Sequence, residues 1–275
     1  MTERATIVIP LRRQFDDWLE TSVRSAVLQS APTEVIVVIS RLVPRSNLQI
    51  LTRLRQHHKN LVVLRQNQPE SFPGAINEGI HHARSNRVGL LMSDDWLDEN
   101  AVAECVQLSA DIVSTGITVY SPNGDINPAV GGSPSSAQFR SLPTLEAKAT
   151  YLRHFFLFRK KLLLQVGGLD ENLGNSPGID DYDLIWTLLE RGATVALVEK
   201  CLYHYRDHDG ERLTLQNSEQ MLRNFKKILR KHGVCNEEAR KIIKLHSPWF
   251  GRSMHHVTQA RANVQGAKRR PGRKA

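Results

Sequence analysis

Two adjacent carboxylates, Asp94 and Asp95, follow an apolar run in the stretch LLMSDDW at residues 90–96. The run from Val88 to Met92 is typical of a buried strand, and open parallel sheets bind their ligands where the strands end. Carboxylate oxygens at such a place suit a hard divalent cation such as Mg²⁺ or Mn²⁺, with phosphate oxygens completing the ligand shell. The two acids therefore point to a cation site for a phosphorylated ligand.

A second group of acids opens a predicted helix in the segment IDDYDL, at residues 179–184. Asp180, Asp181 and Asp183 all lie in its first turn, where the helix macrodipole favours negative charge. Helix capping alone is one interpretation. However, three acids in four residues, directly after the glycine-punctuated loop GNSPG, exceed what capping needs.

A third polar group, HYRDHDG at residues 204–210, comes just after a predicted strand. A lone histidine is more often structural than a ligand. His208 lies in a polar loop, so a ligand role and a surface role both remain open.

Motifs of two other phosphate-binding sites are missing from the sequence. No G-x-G-x-x-G follows the first predicted strand, so a dinucleotide-binding Rossmann site is unsupported. No G-x-x-x-x-G-K-[ST] occurs either, which excludes a P-loop. The carboxylate groups remain as the candidate chemistry.

The elements that must position these acids alternate between strands and helices. Strands are predicted at 5–10, 34–40, 60–66 and 87–93, and helices at 14–29, 47–58 and 74–86. Strands that read as continuous apolar runs between helices indicate a parallel sheet covered on both faces. The first half of the chain is therefore predicted to be an α/β half of the nucleotide-binding type.

In the second half, the predicted strands and helices no longer alternate regularly. A Gly-, Pro- and Ser-rich stretch at 121–136 predicts a long loop. Around it the pattern predicts a helix near 98–109, strands at 111–121 and 194–199, a strand and a short helix within 155–174, a loop from 200 onward, and helices at 180–192, 217–232 and 236–245. Four aromatic residues could line a sugar platform, although core packing is the commoner role of such residues: Tyr151, Phe155, Phe156 and Trp186.

The net charge of +9 is concentrated at one end of the chain. Seven basic residues and no acid fall within 251–275, which leaves +2 for residues 1–250. Because the basic charge is confined to this tail, a specific nucleic-acid partner is not expected. The tail is expected to be disordered and could contact anionic lipid, at about 1 kcal/mol per basic residue near the surface.

The compartment is predicted from cysteine usage and hydropathy. Cys105, Cys201 and Cys235 are odd in number and lack C-x-x-C spacing, which favours a reducing cytoplasm over a zinc or disulfide framework. No stretch approaches the ~20 apolar residues of a membrane span. A cytoplasmic protein with optional peripheral membrane contact is expected.

Six segments in a fixed order resemble the inverting family 2 glycosyltransferases. The segments are TIVIP, GAINEGI, LLMSDDWLDENAV, FRKKLLLQVGGLDENL, DDYDLIWTLLERG and YRDHDGERLT. Adjacent acids alone are common, but six motifs in the family's order and spacing cover the chain from about Thr6 to about Thr214. The resemblance implies an α/β, Rossmann-like GT-A fold of the nucleotide-diphospho-sugar transferase type, with a mixed central sheet.

The resemblance also implies a domain organisation and partners. A GT-A domain is expected at 1–215, with a nucleotide-binding half at 1–96 and an acceptor-binding half at 97–215, before a helical extension at 216–250 and the basic tail at 251–275. The implied donor is a UDP-, GDP- or dTDP-linked sugar, bound with Mn²⁺ or Mg²⁺. The implied acceptor is a saccharide or a lipid-linked molecule in polysaccharide or glycoconjugate biosynthesis.

Individual roles follow from the matched motifs. Asp94 matches the last acid of the family's Asp-x-Asp motif and, with His208, is expected to hold the metal. Asp181 matches the acid that serves as general base, and Asp180 replaces the glutamate that usually precedes it. Asp95 is expected to orient the sugar or the strand end. The residues expected to bind the donor are Pro10, Arg12, Ser40, Asn77, Asp94 and Asp95.

Three positions depart from the family's pattern. The Asp-Asp-Gly-Ser that usually ends the second strand is Ile39, Ser40 and Arg41 here, the arginine of Ala-Arg-Asn is Ile76, and the first acid of Asp-x-Asp is Met92. These changes leave open a non-catalytic nucleotide-sugar-binding or scaffold protein on a degenerate GT-A fold. A nucleotidyltransferase is disfavoured, because the segment after the first strand lacks a glycine-rich phosphate loop.

Overall fold

The computed structural model describes residues 5–127, 130–173, 179–208, 215 and 218–253. The strands are β1 (Ala5–Leu11), β2 (Thr33–Ile39), β3 (Leu61–Arg65), β4 (Arg87–Leu90), β5 (Trp96–Leu97), β6 (Ile112–Tyr120), β7 (Phe156–Arg159) and β8 (Val195–Arg206). The helices are α1 (Asp16–Val27), α2 (Arg45–His57), α3 (Phe72–His82), α4 (Ala101–Val106), α5 (Ser136–Ser141), α6 (Leu145–Tyr151), α7 (Lys160–Val166), α8 (Asp180–Glu190), α9 (Ser218–Lys231) and α10 (Asn236–His246). Short 3₁₀ turns follow at Glu171–Leu173 and Ser247–Trp249.

The chain divides into two compact units. One consists of Met1–Thr118 with Gly132–Tyr205, and the other of Val119–Gly131 with Arg206–Ala275. The helical extension expected at 216–250 contains α9 and α10, and its status as a separate domain stays a prediction. The basic tail lies outside the described residues from 254 onward.

A parallel layer forms the first half of the sheet, as the sequence predicts. β1 pairs in parallel with β2 and with β4, and β2 pairs in parallel with β3. β1 is buried along its whole length and β2 at all but one residue, because helices cover both faces of this layer. The carboxyl ends of β1, β2 and β4 therefore lie along one edge.

Antiparallel strands complete the sheet, in the order β3-β2-β1-β4-β7-β6-β8-β5 within the described residues. β7 runs antiparallel to β4, with Phe156 opposite Leu90. β5 runs antiparallel to β8, with Trp96 opposite His204. The amino end of β7 thus lies at the same edge as the carboxyl end of β4, and the sheet is mixed as predicted.

Two features of the second half differ from the sequence prediction. The prediction of a loop from residue 200 is wrong, because β8 continues to Arg206 and its residues Leu202 and Tyr203 are buried. β5, α5 and α6 are short elements that the pattern did not predict, since two to seven residues carry too little periodicity.

Core packing is confirmed for three of the four aromatic residues considered for a sugar platform. Phe155, Phe156 and Trp186 are each at most 5% exposed. Tyr151 is half-buried, and its hydroxyl accepts a hydrogen bond from the Ser135 amide at 2.7 Å. Over the part of the chain that the structure describes, no helix combines the length and apolarity needed to cross a bilayer.

Close packing of α3 on β1 leads to a stability prediction at Gly79. A Cβ added there would overlap Val8 Cγ1 and lie 2.9 Å from Val8 Cγ2. Although Ala favours helix over Gly, we expect Gly79→Ala to lower the free energy of unfolding by about 1–3 kcal/mol through overpacking. Urea unfolding measures this change. Combining it with Val8→Ala should cost less than the two single changes together, and a Gly79→Ala protein as stable as the wild type would contradict the packing.

Candidate active site

The acids Asp94 and Asp95 belong to a tight turn at the end of β4. The Asp95 amide donates a hydrogen bond to the Met92 carbonyl at 3.2 Å, and the same carbonyl accepts one from the Ser22 hydroxyl at 3.0 Å. Asp95 is 1% exposed, whereas Asp94 is half-buried. The turn therefore presents one acid to the site edge and buries the other.

Tyr203 of β8 holds this turn. Its hydroxyl donates a 2.6 Å hydrogen bond to Asp95 Oδ2 and accepts one from the Met92 amide at 3.4 Å. Burial raises the pKa of the Tyr203 phenol well above its ordinary value, and the nearby charges of Asp95 and Asp94 raise it further. Tyr203 therefore stays protonated and remains a donor to the buried carboxylate.

The predicted metal ligands, Asp94 and His208, belong to different units. His208 is buried two residues beyond β8, where the neighbouring Asp207 amide donates to the Tyr120 carbonyl at 2.8 Å. Among the described residues, no cluster of three His, Cys, Asp or Glu side chains makes a site built from protein ligands alone. One or two carboxylates do fit Mg²⁺ or Mn²⁺ when phosphate oxygens supply further ligands. The joint role of the two residues stays a prediction.

The predicted catalytic acids lie at the start of α8. Asp180 is 1% exposed, and its Oδ1 accepts a hydrogen bond from the Asp181 amide at 3.0 Å. Asp181 Oδ1 accepts one from the Tyr182 amide at 2.8 Å, while its side chain keeps 24% exposure. Asp180 therefore stabilises the first turn of the helix, and Asp181 is the acid that solvent can reach.

His154, just before β7, contacts the second oxygen of Asp181. Its Nε2 lies 3.2 Å from Asp181 Oδ2. Burial alone would raise the pKa of the Asp181 carboxyl, but the hydrogen bond and charge of His154, with the Tyr182 amide, outweigh it and lower the pKa below its usual value. Asp181 is therefore a carboxylate at neutral pH.

The His154 ring also connects Asp181 to the acidic turn. Its centroid lies 5.1 Å from the Tyr203 ring and 4.6 Å from the Phe156 ring. Since the Tyr203 hydroxyl binds Asp95, a continuous set of contacts runs from the end of β4 to the start of α8. The structure thus brings the two predicted groups of acids to one site within the first unit.

Asn77 of α3 holds the Gly-Gly turn that leads toward α8. Its Oδ1 accepts a hydrogen bond from the Leu169 amide at 2.8 Å, and its Nδ2 donates to the Leu169 carbonyl at 2.9 Å and to Glu171 Oε1 at 3.0 Å. Gly168 has φ +74°, and a Cβ there would overlap Asn77 Oδ1. The Asn77 amide therefore shapes this turn, and its contact with a donor stays a prediction.

The other predicted donor-binding residues lie at the ends of β1 and β2. Pro10 is buried within β1, Arg12 is exposed just after it, and Ser40 is buried after β2 with its amide donating to the Leu11 carbonyl at 2.9 Å. Glu70 reaches this place from the loop after β3, where Oε1 accepts from the Arg41 amide at 2.7 Å. Glu70 therefore supplies a carboxylate where the family's acids after the second strand are missing. Burial would raise its pKa, but the Arg41 amide and the Ser40 hydroxyl lower it overall.

Three site residues escaped the sequence prediction: Tyr203, His154 and Glu70. Tyr203 directly precedes the marked segment HYRDHDG at 204–210, and it was predicted to belong to a loop. His154 carries one usable signal, a polar ring directly before the apolar run FFLF. That signal gains meaning only when the run is known to be antiparallel, which places its amino end at the site edge.

The family follows from comparison with known sequences. Residues 6–167 match Glycosyl transferase family 2. The chain belongs to this family. This family 2 chain is also 29% identical, over 161 residues, to the O-antigen biosynthesis protein RfbC of Myxococcus xanthus. That match covers 58% of this chain and 12% of the relative, so the chain corresponds to a small part of that protein.

Solved structures share the fold of this family 2 chain. TarS 1-349 of S. aureus in complex with UDP is 17% identical, with a TM-score of 0.57 over 86% of this chain and 73% of TarS. The mannosyltransferase PcManGT of Pyrobaculum calidifontis, in complex with GDP-Man and Mn²⁺, is 17% identical, with a TM-score of 0.64 over 97% of this chain and 76% of that protein. At this identity the likeness is one of fold, and it confirms the predicted GT-A fold.

The Tyr203–Asp95 hydrogen bond leads to a prediction for Tyr203→Phe, which keeps the ring and removes only the hydroxyl. Leaving a buried carboxylate without this donor should lower the free energy of unfolding by about 1–3 kcal/mol at pH 7. Chemical unfolding monitored by circular dichroism measures it. Equal stability of the two proteins would contradict the role of the hydroxyl.

The same pair of proteins should differ in alkaline solution. In the unfolded chain Tyr203 ionises near pH 10, whereas in the folded protein its pKa lies well above that value. The stability that the protonated phenol contributes is therefore complete below about pH 10 and is lost as the pH rises further. The wild-type free energy of unfolding should fall more steeply above this pH than that of Tyr203→Phe, by up to about 1.4 kcal/mol per pH unit.

Proposed function

We propose that this chain is a metal-dependent inverting glycosyltransferase that moves a sugar from a nucleotide-diphospho-sugar to an acceptor hydroxyl. One observation carries the proposal: Asp181, a partly exposed carboxylate with a lowered pKa, is joined to the acidic turn of Asp94 and Asp95 through His154 and Tyr203. A base and a diphosphate-binding acid at one site are what a single displacement at a sugar carbon requires. Solved proteins of this fold bound to UDP, or to GDP-Man and Mn²⁺, support the donor class.

The donor side of the proposed site is the edge formed by the ends of β1, β2 and β4. Asp94 would hold Mn²⁺ or Mg²⁺, which when bound offsets the charge that develops on the departing diphosphate. Arg12 is exposed at this edge and would contact the diphosphate. Ser40 and Glu70 would face the base of a UDP-, GDP- or dTDP-linked sugar, and Pro10 and Asn77 would shape the pocket around it.

The acceptor side is built on α8. Asp181 would take the proton of the acceptor hydroxyl as that oxygen attacks the anomeric carbon from the side opposite the diphosphate, which inverts the configuration. Asp180 would assist by fixing the Asp181 backbone through its Oδ1. Asp95 would act indirectly, because its carboxylate is buried and bound by Tyr203.

The acceptor is proposed to be a saccharide or a lipid-linked molecule in polysaccharide or glycoconjugate biosynthesis. The partial match to an O-antigen biosynthesis protein supports this class. A cytoplasmic location and contact of the basic tail with an anionic membrane stay predictions from the sequence.

A second candidate is a binding or scaffold protein that no longer transfers a sugar. Met92 and Ile76 favour it, since each replaces a polar residue of the family's donor site. A panel of UDP-, GDP- and dTDP-sugars, scored for released nucleoside diphosphate, separates the two functions. Turnover of any donor that disappears in Asp94→Ala excludes the binding-only protein, whereas no turnover across the panel would favour it.

For the metal, we predict that Asp94→Asn removes the metal dependence of nucleotide binding. Wild-type protein should bind the matching nucleoside diphosphate at least about 10-fold more tightly with Mn²⁺ than with EDTA, a difference of about 1.4 kcal/mol. In Asp94→Asn the two affinities should converge, while the exposed neighbour variant Glu99→Gln should behave as wild type. Calorimetric titration measures both, and a wild-type affinity that ignores Mn²⁺ would show the role of Asp94 to be wrong.

For the base, we predict that Asp181→Asn lowers kcat by about 10² to 10⁴-fold, because the amide cannot accept the acceptor proton. Its affinity for the nucleoside diphosphate should stay within about twofold of wild type, which is less than 0.5 kcal/mol. Glu190→Gln, at the exposed end of the same helix, is the matched control. Steady-state kinetics with the donor found in the panel measures the change, and an active Asp181→Asn protein would remove Asp181 from the mechanism.

A further inference from the structure

The imidazole of His154 packs between aromatic rings, and one of its two nitrogens contacts the Asp181 carboxylate. Nε2 lies 3.2 Å from Asp181 Oδ2, whereas Nδ1 is buried and lacks a hydrogen-bond partner in the described part of the chain. A carboxylate oxygen only accepts hydrogen bonds, so Nε2 must carry the hydrogen of this contact. The geometry thus fixes Nε2 as the nitrogen that donates to Asp181.

The ring itself is held from two sides. Phe156 of β7 packs at 4.6 Å and 54°, and Tyr203 of β8 packs at 5.1 Å and 33° between ring planes. The preceding residue, Arg153, is held through its backbone by Ser114. The Arg153 carbonyl accepts a hydrogen bond from the Ser114 hydroxyl at 2.6 Å, and the Arg153 amide donates one to the Ser114 Oγ at 3.1 Å. His154 therefore meets Asp181 as a rigid donor.

Asp181 has few other restraints among the contacts described. Its Oδ1 accepts a hydrogen bond from the Tyr182 amide of its own helix. In the described part of the chain, the side chain that contacts its Oδ2 is His154. Without the imidazole, the carboxylate could turn about its side-chain bonds. Among the described residues, Asp181 on α8 and Tyr203 on β8 are titratable groups that contact His154.

We infer that His154 is a positioning residue for the transfer reaction, holding the Asp181 carboxylate in the orientation from which it takes the acceptor proton. This inference rests on the proposed function, in which Asp181 is the base. It extends that function by assigning a role to a residue just before β7. Tyr203, whose ring supports His154, also donates a hydrogen bond to Asp95 through its hydroxyl, so the orientation of the base depends on the same tyrosine as the acidic turn.

Two variants separate positioning from folding. His154→Phe keeps a ring against Phe156 and Tyr203 but removes the donor, and His154→Gln places an amide N–H near the position of Nε2. We expect kcat of His154→Phe to fall about 10- to 100-fold with an unchanged donor KM, as for a misplaced catalytic group. His154→Gln should recover most of this loss. The matched control is His58→Phe, which changes a half-buried histidine directly after α2.

A readout that does not need activity is the titration of Asp181, followed by NMR of protein with ¹³C-labelled aspartate and assigned with Asp181→Asn. Because His154 lowers the pKa of Asp181, that pKa should rise in His154→Phe, and the acid limb of kcat/KM should move to higher pH with it. Unchanged kcat and an unchanged Asp181 titration in folded His154→Phe would overturn this inference but not the proposed function. A wild-type chain that turns over no donor would overturn the proposed function and the transfer role with it.

Discussion

The hydrogen bond between the Tyr203 hydroxyl and the Asp95 carboxylate is the contact on which the site depends. A carboxylate that is 1% exposed is costly to bury unless it is hydrogen-bonded. The donor comes from β8, which pairs with β5 directly after the acidic turn, so that Tyr203 lies opposite Leu97. The antiparallel half of the sheet is therefore a condition for placing Asp94 at the edge.

The same topology explains why both groups of acids meet. In a mixed sheet, the amino ends of antiparallel strands share an edge with the carboxyl ends of parallel strands. Residues before β7 thus join residues after β4, and His154 lies between Tyr203 and the start of α8. A donor bound at the edge of the parallel strands and a base on α8 can then meet at one sugar carbon. The contacts of His154 and Tyr203 hold the base in position relative to that edge.

The parallel half of the fold could be predicted from the sequence, because buried strands there read as continuous apolar runs between helices. The resemblance to the family also marked Asp94 and Asp181. The contacts that hold these acids could not be predicted, since Tyr203 and Asp95 are 108 residues apart and their meeting depends on the antiparallel register. Glu70 shows the same limit, because it reaches the Arg41 amide from 29 residues away, and no local pattern encodes such a pairing.

The most direct test of the in-line arrangement is the anomeric configuration of the sugar that is released. With the donor that the chain accepts, slow transfer to water can be followed by ¹H NMR before the free sugar mutarotates. Asp181 acting from the side opposite the diphosphate predicts that an α-linked donor first releases the β-sugar. First release of the α-sugar would contradict a single displacement at this site.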